Sequence, residues 1–341
     1  MTENASGWLS QLTFANLQSQ ASRIGPGLAL AAMIAMAAQF LSEHYGAPVM
    51  LMAILLGIPF QFLSEEERTA PGILFASKTV LRVGVALLGI RVSMGMVQQV
   101  GPMFLVAVAV AVALTIVLSV LIAPLLNKDR LFGFLTGGAV AICGASAAMA
   151  IGSLLPKKNE SERDLSFTVI SVTVLSTVAM IFYPILTELL GLDARHAGVF
   201  LGGTIHDVAQ VVGAGYSIDQ ETGDFATLVK LFRVTMLAPV VFIGALILRG
   251  SVPVGAKRPP LIPGFVLVFL ILAVLNSAHV LPEFVKAPAD AVSRAALVTA
   301  VAAVGMKTSL KELRTVGKAA IGMLLGQTAF LALFILLIVL V

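Results

Sequence analysis

Apolar runs separated by short polar breaks occupy almost the whole 341-residue chain. Eleven runs stand out, at roughly 26–42, 48–63, 72–92, 102–122, 132–155, 166–190, 195–216, 226–249, 261–280, 290–308 and 319–341. A bilayer core needs about 20 consecutive apolar residues in a helix, so the pattern predicts eleven membrane spans and an all-α fold. The longest segment outside them is the first 25 residues, where Trp8, Leu9, Leu12 and Leu17 fall roughly on one helical face and predict a short interfacial helix. That segment lacks the charged stretch, short apolar core and small-residue cleavage site of a secretory leader. Residues 26–341 read as one transmembrane domain with halves at about 26–156 and 165–341.

Two runs depart from the Leu, Val and Ile of the others. Residues 137–152 read GGAVAICGASAAMAIG, and twelve of the sixteen are Gly, Ala, Ser or Cys. Small residues let transmembrane helices pack closely, which is one reading. The other is a helix broken at membrane depth. Gly137, Gly138 and Gly144 each lower helix propensity by about 1 kcal/mol relative to Ala, and unwound backbone is tolerated there only against protein or a watery cavity. Thr136, Cys143 and Ser146 would then stand beside freed N–H groups, and the N-terminus of a half-helix attracts anions. The second run, GGTIHDVAQVVGAG at 202–215, sets His206 and Asp207 within an apolar span, with Gln210 a turn further on. Ionisable groups in such a place suggest function. Proton coupling is the reading here, because His and a desolvated Asp can both exchange protons near neutral pH; a span that starts later would instead leave the pair at an interface.

An internal repeat points the same way. SKTVLRVGVALLGIRVSMGMVQQVG at 77–101 aligns without gaps on SRAALVTAVAAVGMKTSLKELRTVG at 293–317, with eight identities in 25 positions, among them Gly89/Gly305 and Ser93/Ser309. The copies occupy the third and tenth runs, an odd separation, so one is inverted relative to the other, as in many transporters. GGAV at 137–140 and GGTI at 202–205 form a shorter echo.

Composition narrows the class. With 58% hydrophobic and 12% charged residues and a mean hydropathy of +1.00, the chain lies far from soluble globular proteins. Its net charge of +4 comes from loop lysines and arginines and requires no nucleic acid. With the N-terminus in the cytoplasm, that side carries twelve basic residues against five opposite, Arg91, Lys157, Lys158, Arg163 and Lys286, and the bias predicts that orientation. Cys143 is the single cysteine, so no internal disulfide can form. Lys78, Arg82, Lys230, Arg233 and Arg294 fall inside spans, with Asp207 the comparably placed acid, and such an excess of cation favours an anionic ligand. Arg82 lies nearest a span centre, Lys78 precedes it by one turn, and Arg294 is the repeat partner of Lys78. These three are therefore the expected anion-binding cations, with snorkelling to an interface as the alternative for Lys78, Lys230 and Arg294.

The pairing of GGAVAICGASAAMAIG with GGTIHDVAQVVGAG, the chain length and the number of runs together resemble the YeiH-like family, catalogued both as proposed sulfate exporters and as an uncharacterised conserved membrane family. CGASAA and HDVAQVVGAG are the specific parts, and the resemblance covers nearly the whole chain. It implies kinship with the cation/proton antiporter and anion transporter superfamily, similar in fold to sodium/proton antiporters and bile-acid symporters. Such folds have two inverted five-helix repeats, a panel and a core domain, and broken helices that cross at the midplane. The resemblance also implies export of sulfate or a related sulfonate, and a multi-pass protein of the bacterial inner membrane.

Together these readings predict a secondary transporter of a small anion, coupled to a proton or sodium gradient and working in the lipid bilayer without a cofactor or a bound metal. Arg82, Lys78, Arg294, Gly137, Gly138, Cys143, Gly144 and Ser146 are the expected anion-site residues, and His206, Asp207 and Gln210 the expected coupling residues. A homodimer stays open. A passive anion channel is the runner-up. An enzyme is disfavoured, since the chain has no paired aspartates, no H-E-x-x-H and no second Cys. ATP-driven transport is disfavoured by the lack of G-x-x-x-x-G-K-[ST].

Overall fold

The structure, a computed structural model, describes residues 14–45, 49–156, 159–248, 264–307 and 318–340, and these are all-helical. In chain order the helices are α1 (Phe14–Tyr45), α2 (Val49–Gly57), α3 (Ala70–Ile90), α4 (Met94–Val100), α5 (Pro102–Ile122), α6 (Arg130–Ala141), α7 (Ala145–Gly152) and α8 (Asn159–Leu189). They continue with α9 (Ala194–Thr204), α10 (Val208–Ile218), α11 (Gln220–Thr235), α12 (Leu237–Ile247), α13 (Gly264–Ser277), α14 (Glu283–Met306) and α15 (Lys318–Leu340). Helix α3 is regular α only at its two ends of Ala70–Phe75 and Leu81–Leu87; a π segment, Ala76–Val80, lies between them and a 3₁₀ turn, Leu88–Ile90, closes it.

Among the described residues, seven helices are long and apolar enough to cross a membrane. The apolar runs at 48–63, 132–155, 195–216 and 261–280 hold shorter helices instead. At 1.5 Å per residue the 14 residues of α13 reach about 21 Å, short of a hydrocarbon core of about 30 Å. At the start of the chain, α1 runs from Phe14 through Pro26 to Tyr45 without stopping, so residues 14–25 are continuous with the helix of the first apolar run. Trp8, Leu9 and Leu12 lie outside the described residues.

The chain divides into two compact units, one of residues 1–84 and 294–307, the other of residues 85–293 and 308–341. In the first unit, α1 and the start of α3 touch backbone to backbone: a Cβ on Gly72 would lie 2.1 Å from the Ile24 oxygen. Helix α2 meets the end of α14 in the same way, since a Cβ on Gly305 would lie 2.5 Å from the Ile54 oxygen. In the second unit the repeat partner Gly89 receives α13, with a Cβ position 2.3 Å from the Phe269 oxygen. The two copies of the sequence repeat thus use the same glycine to seat another helix.

The shorter echo has a structural counterpart as well. Asp129 caps α6 by accepting from the Phe132 N–H at 2.6 Å, and Asp193 caps α9 by accepting from the His196 N–H at 2.8 Å. Glycines four apart then face a neighbour: Gly133 and Gly137 against Ser119 of α5, Gly198 and Gly202 against Phe225 and Ala226 of α11. Both helices stop within one turn of the Gly-Gly pair.

These contacts predict opposite outcomes for one substitution at two glycines. A Cβ at Gly202 would sit 2.3 Å from the Ala226 oxygen, so Gly202→Ala should destabilise the protein by about 1–3 kcal/mol, the usual cost of overpacking. Gly326, inside α15, has nothing within 4 Å of its Cβ position, so Gly326→Ala should be neutral or stabilising by up to about 1 kcal/mol. Melting of the two purified variants beside the parent checks both.

Candidate functional site

Helix α6 stops at Ala141, and the next residues leave helical geometry: Ile142 has φ −110° and ψ −82°, and Gly144 has φ +63°. The positive φ explains a glycine at 144, where a Cβ would be strained. The chain resumes as α7, within the same apolar run. Helix α9 likewise stops at Thr204; Ile205 (φ −63°, ψ 136°) and Asp207 (φ −95°, ψ 147°) are extended, and α10 follows. The two breaks adjoin, because a Cβ on Gly144 would lie 3.6 Å from the His206 Cβ.

A broken helix leaves carbonyls without partners. Six carbonyls around the two breaks, those of Val140, Ala141 and Ile142 on one side and Gly202, Ile205 and His206 on the other, are taken by two cations of α11. Lys230 Nζ donates to the Ile142 oxygen at 2.7 Å, to the Ile205 oxygen at 3.0 Å and, in a short contact, to the His206 oxygen. Arg233 donates from Nε to Ala141 (3.0 Å), from Nη1 to Gly202 (3.0 Å) and Ile205 (3.1 Å), and from Nη2 to Val140 (3.0 Å) and Ala141 (2.7 Å). An ammonium has three donors and a guanidinium five, so both cations are saturated by backbone. Both are 0% exposed. They also sit at the negative ends of two helix dipoles, where positive charge is favoured.

The opposite side of the crossing differs. Residues 135–144 and 197–206 are buried, but Ser146, near the start of α7, is exposed, and Asp207 and Val208, at the start of α10, are half-buried. The accessible face therefore carries the N-terminal ends of two half-helices. Asp207 accepts from the Ala209 N–H at 2.8 Å as the N-cap of α10 and donates its own N–H to Ser176 Oγ at 3.0 Å. Ser176 Oγ donates to Gln210 Oε1 at 3.2 Å, and Gln210 Nε2 donates to Thr177 Oγ1 at 3.4 Å. His206 is fully buried, with Nε2 3.0 Å from Thr328 Oγ1 on α15; its Nδ1 has no hydrogen-bond partner among the described residues.

The structure thus brings Cys143, Gly144, His206, Asp207 and Gln210 around one crossing, with Ser146 on its open side. Gly137 and Gly138 were expected at a break, yet both lie inside α6, where Gly137 packs on Ser119 and Gly138 on Ile151. The chain opens five residues later because a helix facing bare backbone on its neighbour gains packing from glycine, and this outweighs the lost propensity. Cys143 is 5% exposed, so its thiol is closed off in this conformation. Lys78, Arg82 and Arg294 belong to the first unit and are exposed there, the first two on α3 and the third on α14.

Lys230 and Arg233 were visible in the sequence as charges within a span, and their three-residue spacing puts them on one helical face. Nothing in the sequence says that this face meets two broken helices. Asp224, buried on α11, was missed, so Asp207 does not stand alone among acids so placed. Asp224 accepts from the Tyr216 hydroxyl and pairs with Arg91 at 3.6 Å, and Arg91 also donates to Asp290. Among the described residues no three His, Cys, Asp or Glu side chains converge as a metal cluster. A cavity of about 230 Å³ in the second unit, lined by Val92, Leu231, Phe232 and Phe269 among others, is apolar and lies away from the crossing.

A family model described as conserved hypothetical protein 698 matches residues 26–324. Among similar proteins, UPF0324 membrane protein TauZ of Paracoccus denitrificans is 56% identical over 314 residues, 91% of this chain and 93% of its own. UPF0324 membrane protein RB0971 of Rhizobium meliloti is 56% identical over 318 residues, 92% of each chain. UPF0324 membrane protein CT0845 of Chlorobaculum tepidum is 50% identical over 317 residues, 92% of this chain and 88% of its own. No solved structure matches.

Saturation of the two cations makes their replacement costly. Arg233→Ala should destabilise the protein by about 3–5 kcal/mol, as expected when one side of a buried ionic network is removed. Arg233→Lys keeps the charge but has two fewer donors; it should still lose about 1–3 kcal/mol through carbonyls left unpaired. Urea or thermal unfolding in detergent measures both, and a lysine variant as stable as the parent would contradict the five-bond geometry.

Proposed function

The chain belongs to the conserved hypothetical protein 698 family of UPF0324 membrane proteins, and from the polarity of its helix crossing we propose that it is a secondary transporter of a small anion. One observation carries this reading: the accessible side of the crossing presents the N-terminal ends of α7 and α10, while the carbonyl ends are sealed against Lys230 and Arg233. Each half-helix N-terminus is equivalent to roughly half a positive charge, and the two buried cations lie behind. Against these stands the Asp207 carboxylate. A partly dry site with such a balance favours an anion, and the first N–H groups of α7 beside Ser146 would supply neutral donors. Sulfate or a sulfonate, whose several oxygens accept many such bonds, fits this chemistry best.

Two crossing broken helices also support the alternating-access mechanism implied by the YeiH-like resemblance and the wider antiporter superfamily. On this reading the eleven apolar runs are all membrane-embedded, counting the broken and short ones, and the protein exports its anion from the cytoplasm. The exposed Lys78, Arg82 and Arg294 attract the anion, while Asp207, tuned by His206 and held by Ser176 and Gln210, exchanges the coupling ion.

Liposomes containing the purified protein test the proposal through sulfate, sulfite and sulfonate flux with and without an imposed pH gradient. Gradient-driven accumulation is the expected result; downhill flux that ignores the gradient would make the protein a channel. Asp207→Asn should abolish accumulation yet keep counterflow of labelled anion. Arg82→Ala should slow flux by about tenfold or more, as for loss of a charge-assisted contact, and change stability by no more than about 0.5 kcal/mol because the side chain is exposed.

A further inference from the structure

Three backbone oxygens converge on one point inside the second unit. The Ile142 oxygen comes from the first break, and the Ile205 and His206 oxygens come from the second. All three residues are 0% exposed. Carbonyls freed by unwound helix are the ligands with which crossing-helix transporters hold a coupling cation. In this protein the position is occupied by a side chain. Lys230 Nζ is a compact monovalent charge with three donors, one for each oxygen, and its stem is fully buried on α11. Tethering makes its binding at the oxygens intramolecular, so it draws no ion from solution.

Arg233, one turn along the same helix, behaves differently. Its planar fork engages four carbonyls in fixed directions, Val140, Ala141, Gly202 and Ile205, and no spherical ion reproduces that geometry. The ammonium is the group that an ion could replace.

We infer that the oxygens of Ile142, Ile205 and His206 form a monovalent-cation site that the Lys230 ammonium fills permanently, so that this crossing needs no sodium. The inference rests on the transporter reading only in its transport consequence: the anion cycle runs without sodium, and the half-exposed Asp207 carries a proton instead.

Three measurements test it. First, the melting midpoint of the parent protein should be the same in sodium chloride and in choline chloride at equal ionic strength; a midpoint that rises with sodium overturns the inference. Second, Lys230→Ala should melt lower than the parent in choline chloride. Sodium chloride or methylammonium chloride should raise its midpoint in a saturating way, because the vacated oxygens then take up a free cation. A midpoint indifferent to both cations, or a variant that yields no folded protein in any of the three salts, counts against the site. Third, anion flux through the parent in liposomes should be unchanged when sodium is replaced by choline, and a sodium requirement overturns the inference. If no anion moves under any condition, the transporter reading fails, while the two melting measurements still decide whether Lys230 fills a cation site.

Discussion

A helix that ends inside an apolar interior exposes carbonyls that no water can satisfy, and the core of the second unit answers that constraint. Two helices end side by side, and six of their carbonyls are met by one lysine and one arginine through eight hydrogen bonds. Desolvating two cations costs several kcal/mol each unless every donor is used. Here every donor is used, and each half of the arrangement makes the other tolerable: the broken helices need donors, and the buried cations need acceptors. Because both breaks share the same two side chains, neither can be displaced alone.

The rest of the second unit holds those cations within reach. Glycines on α9 bring its backbone against α11, with Gly198 at Phe225 and Gly202 at Ala226. Gly215 of α10 lies directly over Gly223 of α11. Side chains at these positions would push α11 outward and draw Lys230 and Arg233 away from their carbonyls. On the far side, α15 reaches the crossing through Thr328 and also bonds α6, where Gln327 Nε2 donates to Thr136 Oγ1 at 2.9 Å. Small residues are thus the means by which the helix carrying the two cations comes close enough for them to reach the carbonyls.

Sealing one side of the crossing gives the other its character. On the open side the positive helix ends face the Asp207 carboxylate, and hydroxyl and amide groups from Ser176, Thr177 and Gln210 order the segment around Asp207 without adding charge. The cluster of Arg91, Asp224, Asp290 and Tyr216 is different in kind, since its charges pair with one another.

Much of this was legible in the chain alone. Apolar runs and composition determine a multi-pass helical membrane protein, because twenty apolar residues in a row have few other stable environments. The small-residue run and the His206–Asp207 run mark the two breaks, and the echo between them reflects a real likeness of cap, glycine seat and stop. What only the tertiary structure decided is where each helix opens and what closes it. The break falls at Ile142–Gly144 and not at Gly137–Gly138, because propensity is a local quantity worth about 1 kcal/mol per glycine whereas the fit of α6 against α5 is set by contact. Lys230 and Arg233 could be read as intramembrane charges, and their role could not: a hydrogen bond to a carbonyl 24 to 93 positions away leaves no trace in spacing or composition, since every residue type carries the same carbonyl.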